Sequence, residues 1–130
     1  MSPVVPRFDL SEEPAACGAH VVVVRGEIHL STAPGLSQRL AAAIDAGATR
    51  VILDLTAVEF IDSTGLSVLL TGLRRVHQLQ GRMALVCVSP TVLRLFHITG
   101  LEETFDIFAD RAAADAFVCQ AAGGSSEGEP

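Results

Sequence analysis

Apolar residues fall along the chain in short blocks, and their spacing alternates between continuous and helical. The clearest blocks lie between residues 50 and 80. Val51, Ile52, Leu53 and Leu55 form a run broken only by Asp54, the pattern of a strand buried in a sheet. Leu66, Leu69, Leu70, Leu73 and Val76 then recur as one face of an amphipathic helix. Between them Asp62-Ser63-Thr64-Gly65 is small and polar. It stands where a helix begins with unpartnered N–H groups, which Ser, Thr and Asp side chains commonly satisfy.

The other blocks follow the same logic. Arg7 to Leu10 suggests a short edge strand, with a loop from Glu12 to Gly18. His20-Val-Val-Val-Val-Arg-Gly26 is a β-branched central strand that Gly26 is expected to stop. A loop over 27–35 leads to a helix carrying Leu36, Leu40 and Ile44 on one face, with Ser31 or Thr32 as N-cap, Pro34 near its start and Gly47 beyond its end. Gly81 closes the helix that starts near Ser63, and Met83 to Val88 is a further buried strand. Ser89-Pro90 opens a helix that stops at Gly100. Phe105 to Phe108 is a short strand, and Asp110 caps a last helix through Phe117 and Val118. Gly72 inside its helix costs about 1 kcal/mol against alanine, which suggests close packing there. Alternating strands and helices predict an α/β domain. The sheet is expected to be mixed and mostly parallel, of four to five strands with four to five packed helices. The domain is assigned to 1–122, with its core at about 20–119; 123–130, Gly-Gly-Ser-Ser-Glu-Gly-Glu-Pro, lacks core formers and is expected to be a disordered tail.

Composition narrows the function. The 130 residues are about half apolar and suffice for one buried core. No apolar run reaches the roughly 18 residues that span a bilayer. The first ten residues hold two prolines and no hydrophobic signal region, so a cytoplasmic location is expected. A net charge of −6, with nine scattered arginines and no lysine, argues against nucleic acid as a partner. Cys17, Cys87 and Cys119 contain no C-x-x-C pair, and Cys87 reads as a small buried hydrophobe. His20, His29, His77 and His97 lack metal-ligand spacing, so no metal is expected.

Three chemistries compete at the polar segment. Ser63 lacks a G-x-S-x-G elbow and a histidine assigned by position as its base. Asp54 before Thr56 suggests a phosphoaspartate strand end, but the second Asp of D-x-D is absent. Asp62-Ser63-Thr64-Gly65 resembles an aspartic-protease turn with one residue inserted, which would ruin that turn. The simplest reading of Ser63 is a helix cap; Thr64 is read as a cap or a second phosphate acceptor.

The wider pattern changes that balance. Val51-Ile-Leu-Asp-Leu-Thr-Ala-Val-Glu-Phe-Ile-Asp-Ser-Thr-Gly-Leu-Ser-Val-Leu-Leu70 resembles the central segment of STAS domains, the family of anti-sigma factor antagonists. The resemblance runs from about Val21 to Val118. It takes in Gly26-Glu27-Ile28 before Ser31-Thr32-Ala33, and the later block Val88-Ser-Pro-Thr-Val-Leu-Arg-Leu-Phe-His-Ile-Thr-Gly-Leu101.

The resemblance implies a partner-switching protein. The family serine matching Ser63 is phosphorylated by an anti-sigma factor that is also a serine kinase. The unmodified protein binds that partner and frees a sigma factor; phosphorylation ends binding until a phosphatase resets it. ATP belongs to the kinase, so no cofactor and no catalytic residue are expected in this chain, and it is expected to be a monomer when free. Asp62, Thr64, Gly65 and Leu66 would surround the phosphate, with the amides of Gly65 and Leu66 free to face it. Ser67, Val68, Thr71 and Arg75, away from the leucine stripe, are the candidate docking face together with Ser31 and His29. The bland alternative for that face is solvated surface. His29 departs from the family, which commonly has an acid there that aids kinase recognition. Alternatives are a stressosome-like scaffold subunit, a ligand-binding or transporter-regulating STAS module and, from another class, a small hydrolase using Ser63 or Asp62.

Overall fold

The computed structural model describes residues 8–120. The predicted tail at 123–130, the start of the domain at 1–7 and Arg7 of the expected edge strand lie outside the described residues. In chain order the elements are β1 (Asp9–Pro14), a 3-10 turn (Ala16–Gly18), β2 (His20–Ile28), α1 (Ala33–Asp45), β3 (Arg50–Ile61) and α2 (Ser63–Gln78). There follow β4 (Arg82–Val86), α3 (Pro90–Thr99), a second 3-10 turn (Leu101–Glu103), β5 (Asp106–Phe108) and α4 (Arg111–Val118). The five strands form one sheet in the order β1-β2-β3-β4-β5; β1 runs antiparallel to β2 and the other pairs are parallel.

Successive residues of a strand face opposite sides of the sheet, so a continuous apolar run signals burial on both. In β3, Val51, Leu53 and Leu55 join one core while Ile52 joins the other. The first core lies under α1, α2 and α3 and includes Leu36, Leu40, Leu66, Leu69, Leu73, Val92 and Phe96. The second lies under α4 and pairs Ala114 and Val118 with Val21, Ile52, Ala84 and Val86.

Several expected boundaries move. β2 does not stop at Gly26: the β2–β3 register shifts around it, and at φ 93° Gly26 takes a backbone conformation that suits a bulge. β3 likewise runs on to Ile61, which places Asp54 inside the strand and not at its end. The edge strand begins at Asp9 and extends to Pro14, taking residues expected in a loop; it is exposed almost throughout, so it has no apolar alternation to read. The strand expected at 83–88 ends at Val86, and the one expected from Phe105 begins at Asp106.

Ser89 and Asp110 cap α3 and α4 as expected, accepting from the amides of Val92 at 3.4 Å and Ala113 at 2.8 Å. Gly72 lets α2 approach its neighbours: a Cβ there would sit 3.3 Å from both Leu40 Cδ1 and Met83 Cε. Cys87 is buried. Cys17 and Cys119, 102 residues apart, are joined by a disulfide.

Candidate functional site

The parallel pairing of β2 with β3 brings Ile28 beside Ile61, so the residues following both strands emerge together. One more bond continues the ladder, the Asp62 amide donating to the Ile28 carbonyl at 3.0 Å. Asp62 is thereby held in extended backbone as the N-cap of α2. Its Oδ1 accepts from the Gly65 amide at 2.9 Å and its Oδ2 from the Leu30 amide at 3.2 Å. One carboxylate therefore starts the helix and also pins the loop between β2 and α1. Thr64, expected as a cap, lies within the first turn because Asp62 holds that role.

The four orphan amides of the helix start can be accounted for. That of Asp62 goes to Ile28 and that of Gly65 to the Asp62 side chain; those of Ser63 and Thr64 have no acceptor among the described residues. The Leu66 amide is already engaged, donating to the Asp62 carbonyl at 3.0 Å. This corrects the sequence expectation: Gly65 and Leu66 are occupied, and the amides available to an anion are those of Ser63 and Thr64.

Ser63 is exposed, and among the described residues its hydroxyl makes no hydrogen bond. Gly65 is buried for a different reason. A Cβ there would stand 2.6 Å from Ile61 Cγ1 and 2.7 Å from Ile28 Cγ2, so the turn closes on the two strand ends only if this residue has no side chain.

The neighbouring loop is internally bonded. The Ser31 amide donates to His29 Nδ1 at 3.2 Å, and the Thr32 hydroxyl donates to the Glu27 carbonyl at 2.7 Å. Thr32 occupies the N-cap position of α1, yet its side chain accepts from the His29 amide at 2.9 Å instead of capping the helix. With Nδ1 accepting, neutral His29 carries its proton on Nε2, which lies 3.8 Å from Glu27 Oε1. The ring is thus engaged within its own loop, and among the described residues it makes no hydrogen bond with Ser63.

The docking residues divide into two groups. His29 and Ser31 flank Leu30, whose amide bonds Asp62 at the start of α2, where Ser63 is the first helical residue and Ser67 lies one turn on. Val68, Thr71 and Arg75 run down α2 and line a narrow groove against Ser37, Leu40, Ala41 and Ile44 of α1. Ser67 and Thr71 are exposed, whereas Val68 and Arg75 are half-buried. Arg75 also bonds Asp45 at 2.6 Å, which ties α2 to α1. Sequence reasoning missed Leu30, 72% exposed beside Asp62, and Phe60, 42% exposed at the end of β3. A leucine between His29 and Ser31 in an expected loop was the only available signal for the first.

Asp54 has a structural explanation. It accepts from the Thr56 amide at 3.0 Å and from Arg111 at 3.1 Å, and also from the Thr56 hydroxyl. Burial works against its charge, but the Thr56 bonds and the Arg111 guanidinium outweigh it and hold the carboxyl below its usual range.

Comparison with known proteins agrees with this architecture. The model of the STAS domain matches residues 12–114. The anti-sigma-B factor antagonist of Bacillus subtilis is 38% identical over 88 residues, covering 68% of this chain and 80% of that protein. The anti-sigma-F factor antagonist RsfB of Mycobacterium tuberculosis is 32% identical over 92 residues, covering 71% and 75%. Among solved structures, an anti-sigma factor antagonist from Mycobacterium paratuberculosis superposes with a TM-score of 0.75 at 31% identity, covering 86% of this chain and 94% of that one. Bacillus SpoIIAA in its phosphorylated form shares the fold, with a TM-score of 0.66 at 24% identity over 84% of this chain and 99% of its own. Among the described residues no helix is long and apolar enough to cross a membrane. Given the matched span, the five-stranded mixed sheet and relatives of this identity and coverage, the chain belongs to the STAS-domain family, among proteins named as anti-sigma factor antagonists.

Proposed function

We propose that this chain is a cytoplasmic anti-sigma factor antagonist, monomeric when free and switched at Ser63. Its unmodified form binds an anti-sigma factor that is also a serine kinase, and so frees a sigma factor. Transfer of a phosphoryl group from the kinase's ATP to Ser63 ends the complex, and a phosphatase restores it. The observation that carries this reading is the placement of Ser63: exposed, unbonded, and first in a helix whose cap is supplied by another residue.

Electrostatics supplies the mechanism. A phosphoserine carries about −1.5 to −2 charges at pH 7. In the free protein the amides of Ser63 and Thr64 and the positive end of α2 can take that charge, so the fold need not change. Against a partner surface shaped for a neutral hydroxyl, beside the Asp62 carboxylate, the same charge must be desolvated and repelled. A penalty of about 3 kcal/mol weakens binding more than a hundredfold. The helix start is thus a local switch that needs no refolding.

The test is phosphosite mapping after incubation with the cognate kinase and ATP. Ser63 is expected to take the label, and labelling elsewhere or nowhere would overturn the proposal. Ser63→Ala should bind the kinase and resist modification, while Ser63→Asp should bind more weakly. His29→Asp, which places an acid at the position where the family commonly has one, is expected to raise the phosphorylation rate; an unchanged rate removes His29 from kinase recognition.

A further inference from the structure

The Cys17–Cys119 bond joins the turn at Ala16–Gly18 to the residue that ends α4, on the side of the sheet away from Ser63. α4 has eight residues, too few to persist as an isolated helix, so its order depends on its attachments. Its fully buried side chains are Ala114 and Val118, and Phe117 packs half-buried against Phe108 with Arg82 over its ring. The N-terminal end is held by the Asp110 cap and by Arg111, which bonds Asp54 and Glu13, each at 3.1 Å. The C-terminal end is held covalently. A second observation lies at the other sulfur. Cys17 adopts φ 57°, a left-handed conformation that non-glycine residues rarely take, so the bond keeps a costly turn in place.

We propose that Cys17 and Cys119 form a reversible redox site whose oxidation state decides whether α4 stays on the sheet. Cys17 is exposed, so a thiolate from solvent can reach its sulfur. A small dithiol reductant supplies the two electrons. Its thiolate attacks Cys17 Sγ, the S–S bond breaks, and Cys119 leaves as a thiolate that takes a proton from water. The reductant's second thiolate then attacks the mixed disulfide and releases Cys17, which is protonated in turn; the reductant departs as its own disulfide. Cys87, the chain's third cysteine, is excluded from exchange. It is buried, and burial pushes its thiol pKa up, away from the reactive thiolate. Once the clasp opens, α4 is left with its Asp110 cap, its ion pairs, the Phe117 contact with Phe108 and two small buried side chains. Its release uncovers Val21, Ile52, Ala84 and Val86, while the core beneath α2 stays closed.

The test uses the full chain, oxidised in air and then treated with dithiothreitol. Alkylation followed by intact mass should show no reactive thiol in the folded oxidised protein and two after reduction, mapped to Cys17 and Cys119. Amide hydrogen exchange over 111–118 should quicken by at least about tenfold on reduction, with the amides of α2 unchanged. The double variant Cys17→Ser, Cys119→Ser should exchange like the reduced protein. Two reactive thiols in the air-oxidised protein, unchanged α4 protection on reduction, or equal loosening of α2 would each overturn the proposal.

Discussion

The two faces of the sheet are built differently although the same strands serve both. On one, α1, α2 and α3 lay leucines, an isoleucine and Phe96 over Val51, Leu53 and Leu55, and the helix carrying Ser63 stands on that mass. On the other, α4 lays only Ala114, Val118 and the half-buried Phe117 against Val21, Ile52, Ala84, Val86 and Phe108, and polar and covalent ties supplement the packing. A site that must present one hydroxyl in one place is better held by close-packed apolar contact, which is non-directional and has little slack. A cover held by a few discrete bonds can instead be released by undoing one of them.

The largest expected effect separates the faces directly. Leu69 is fully buried under α2, and Leu69→Ala should destabilise by about 3–5 kcal/mol through lost burial and the cavity it leaves. Val118, also fully buried, loses only two methyl groups in Val118→Ala, and about 1–2 kcal/mol is expected. Urea unfolding midpoints measure both. Equal losses would mean that α4 is packed as firmly as α2, and the contrast between the faces would fail.

Gly65→Ala comes next, at roughly 1–3 kcal/mol. Its Cβ must displace Ile61 and Ile28, an overpacking cost from which the better helix propensity of alanine subtracts up to about 1 kcal/mol. The substitution should also slow Ser63 phosphorylation, because the first turn has to move for the strand ends to make room. A stable variant phosphorylated at the normal rate would show that the turn tolerates displacement.

Asp62→Ala removes the cap of α2 and should cost about 1 kcal/mol. It also frees the Leu30 amide, so exchange should rise in the loop over 29–32 as well as at the helix start. Asp62→Asn retains an acceptor oxygen and should lose less. Loss confined to the helix, with the loop unchanged, would show that the Leu30 bond does not hold the loop.

These contrasts were unevenly legible in the sequence. Ser63, its helix and the caps at Ser89 and Asp110 could be read because capping is local, decided within three residues. The reason for Gly65 could not, since the atoms it avoids come from Ile28 and Ile61, on two strands. The apolar run understates β3 because Thr56, Ala57, Glu59 and Phe60 continue it at exposed positions, where hydropathy carries no strand signal. Gly26 signals a stop in the sequence where the ladder needs a bulge. The sequence marks Asp54 as a candidate for chemistry, whereas the fold brings Arg111 to it across 57 residues. The Cys17–Cys119 pairing is the extreme case, for nothing in three cysteines without a spacing motif says which two meet.

The smallest expected effect concerns the ionic tie of α4 and its dependence on pH. The Asp54 carboxyl is held below its ordinary range in the folded chain, so its contribution is complete above the unfolded value of about 3.9 and is lost as pH falls through the folded value. Glu12, although its partial desolvation opposes the shift, is lowered by Arg39 and His20 and works in the same direction. Burial raises the Asp106 pKa, so protonating it in acid favours the fold and offsets part of the loss at β5. Arg111→Gln removes the guanidinium that bridges Asp54 and Glu13 and should cost roughly 1 kcal/mol at pH 7, as partly exposed pairs do. Between pH 4 and 3 the wild type should lose stability faster than the variant, and the gap between their urea midpoints should narrow. A gap of the same size at pH 3 as at pH 7 would mean that Arg111 holds α4 by packing its hydrocarbon stem, and the thin face would then rest on contact and covalent bond alone.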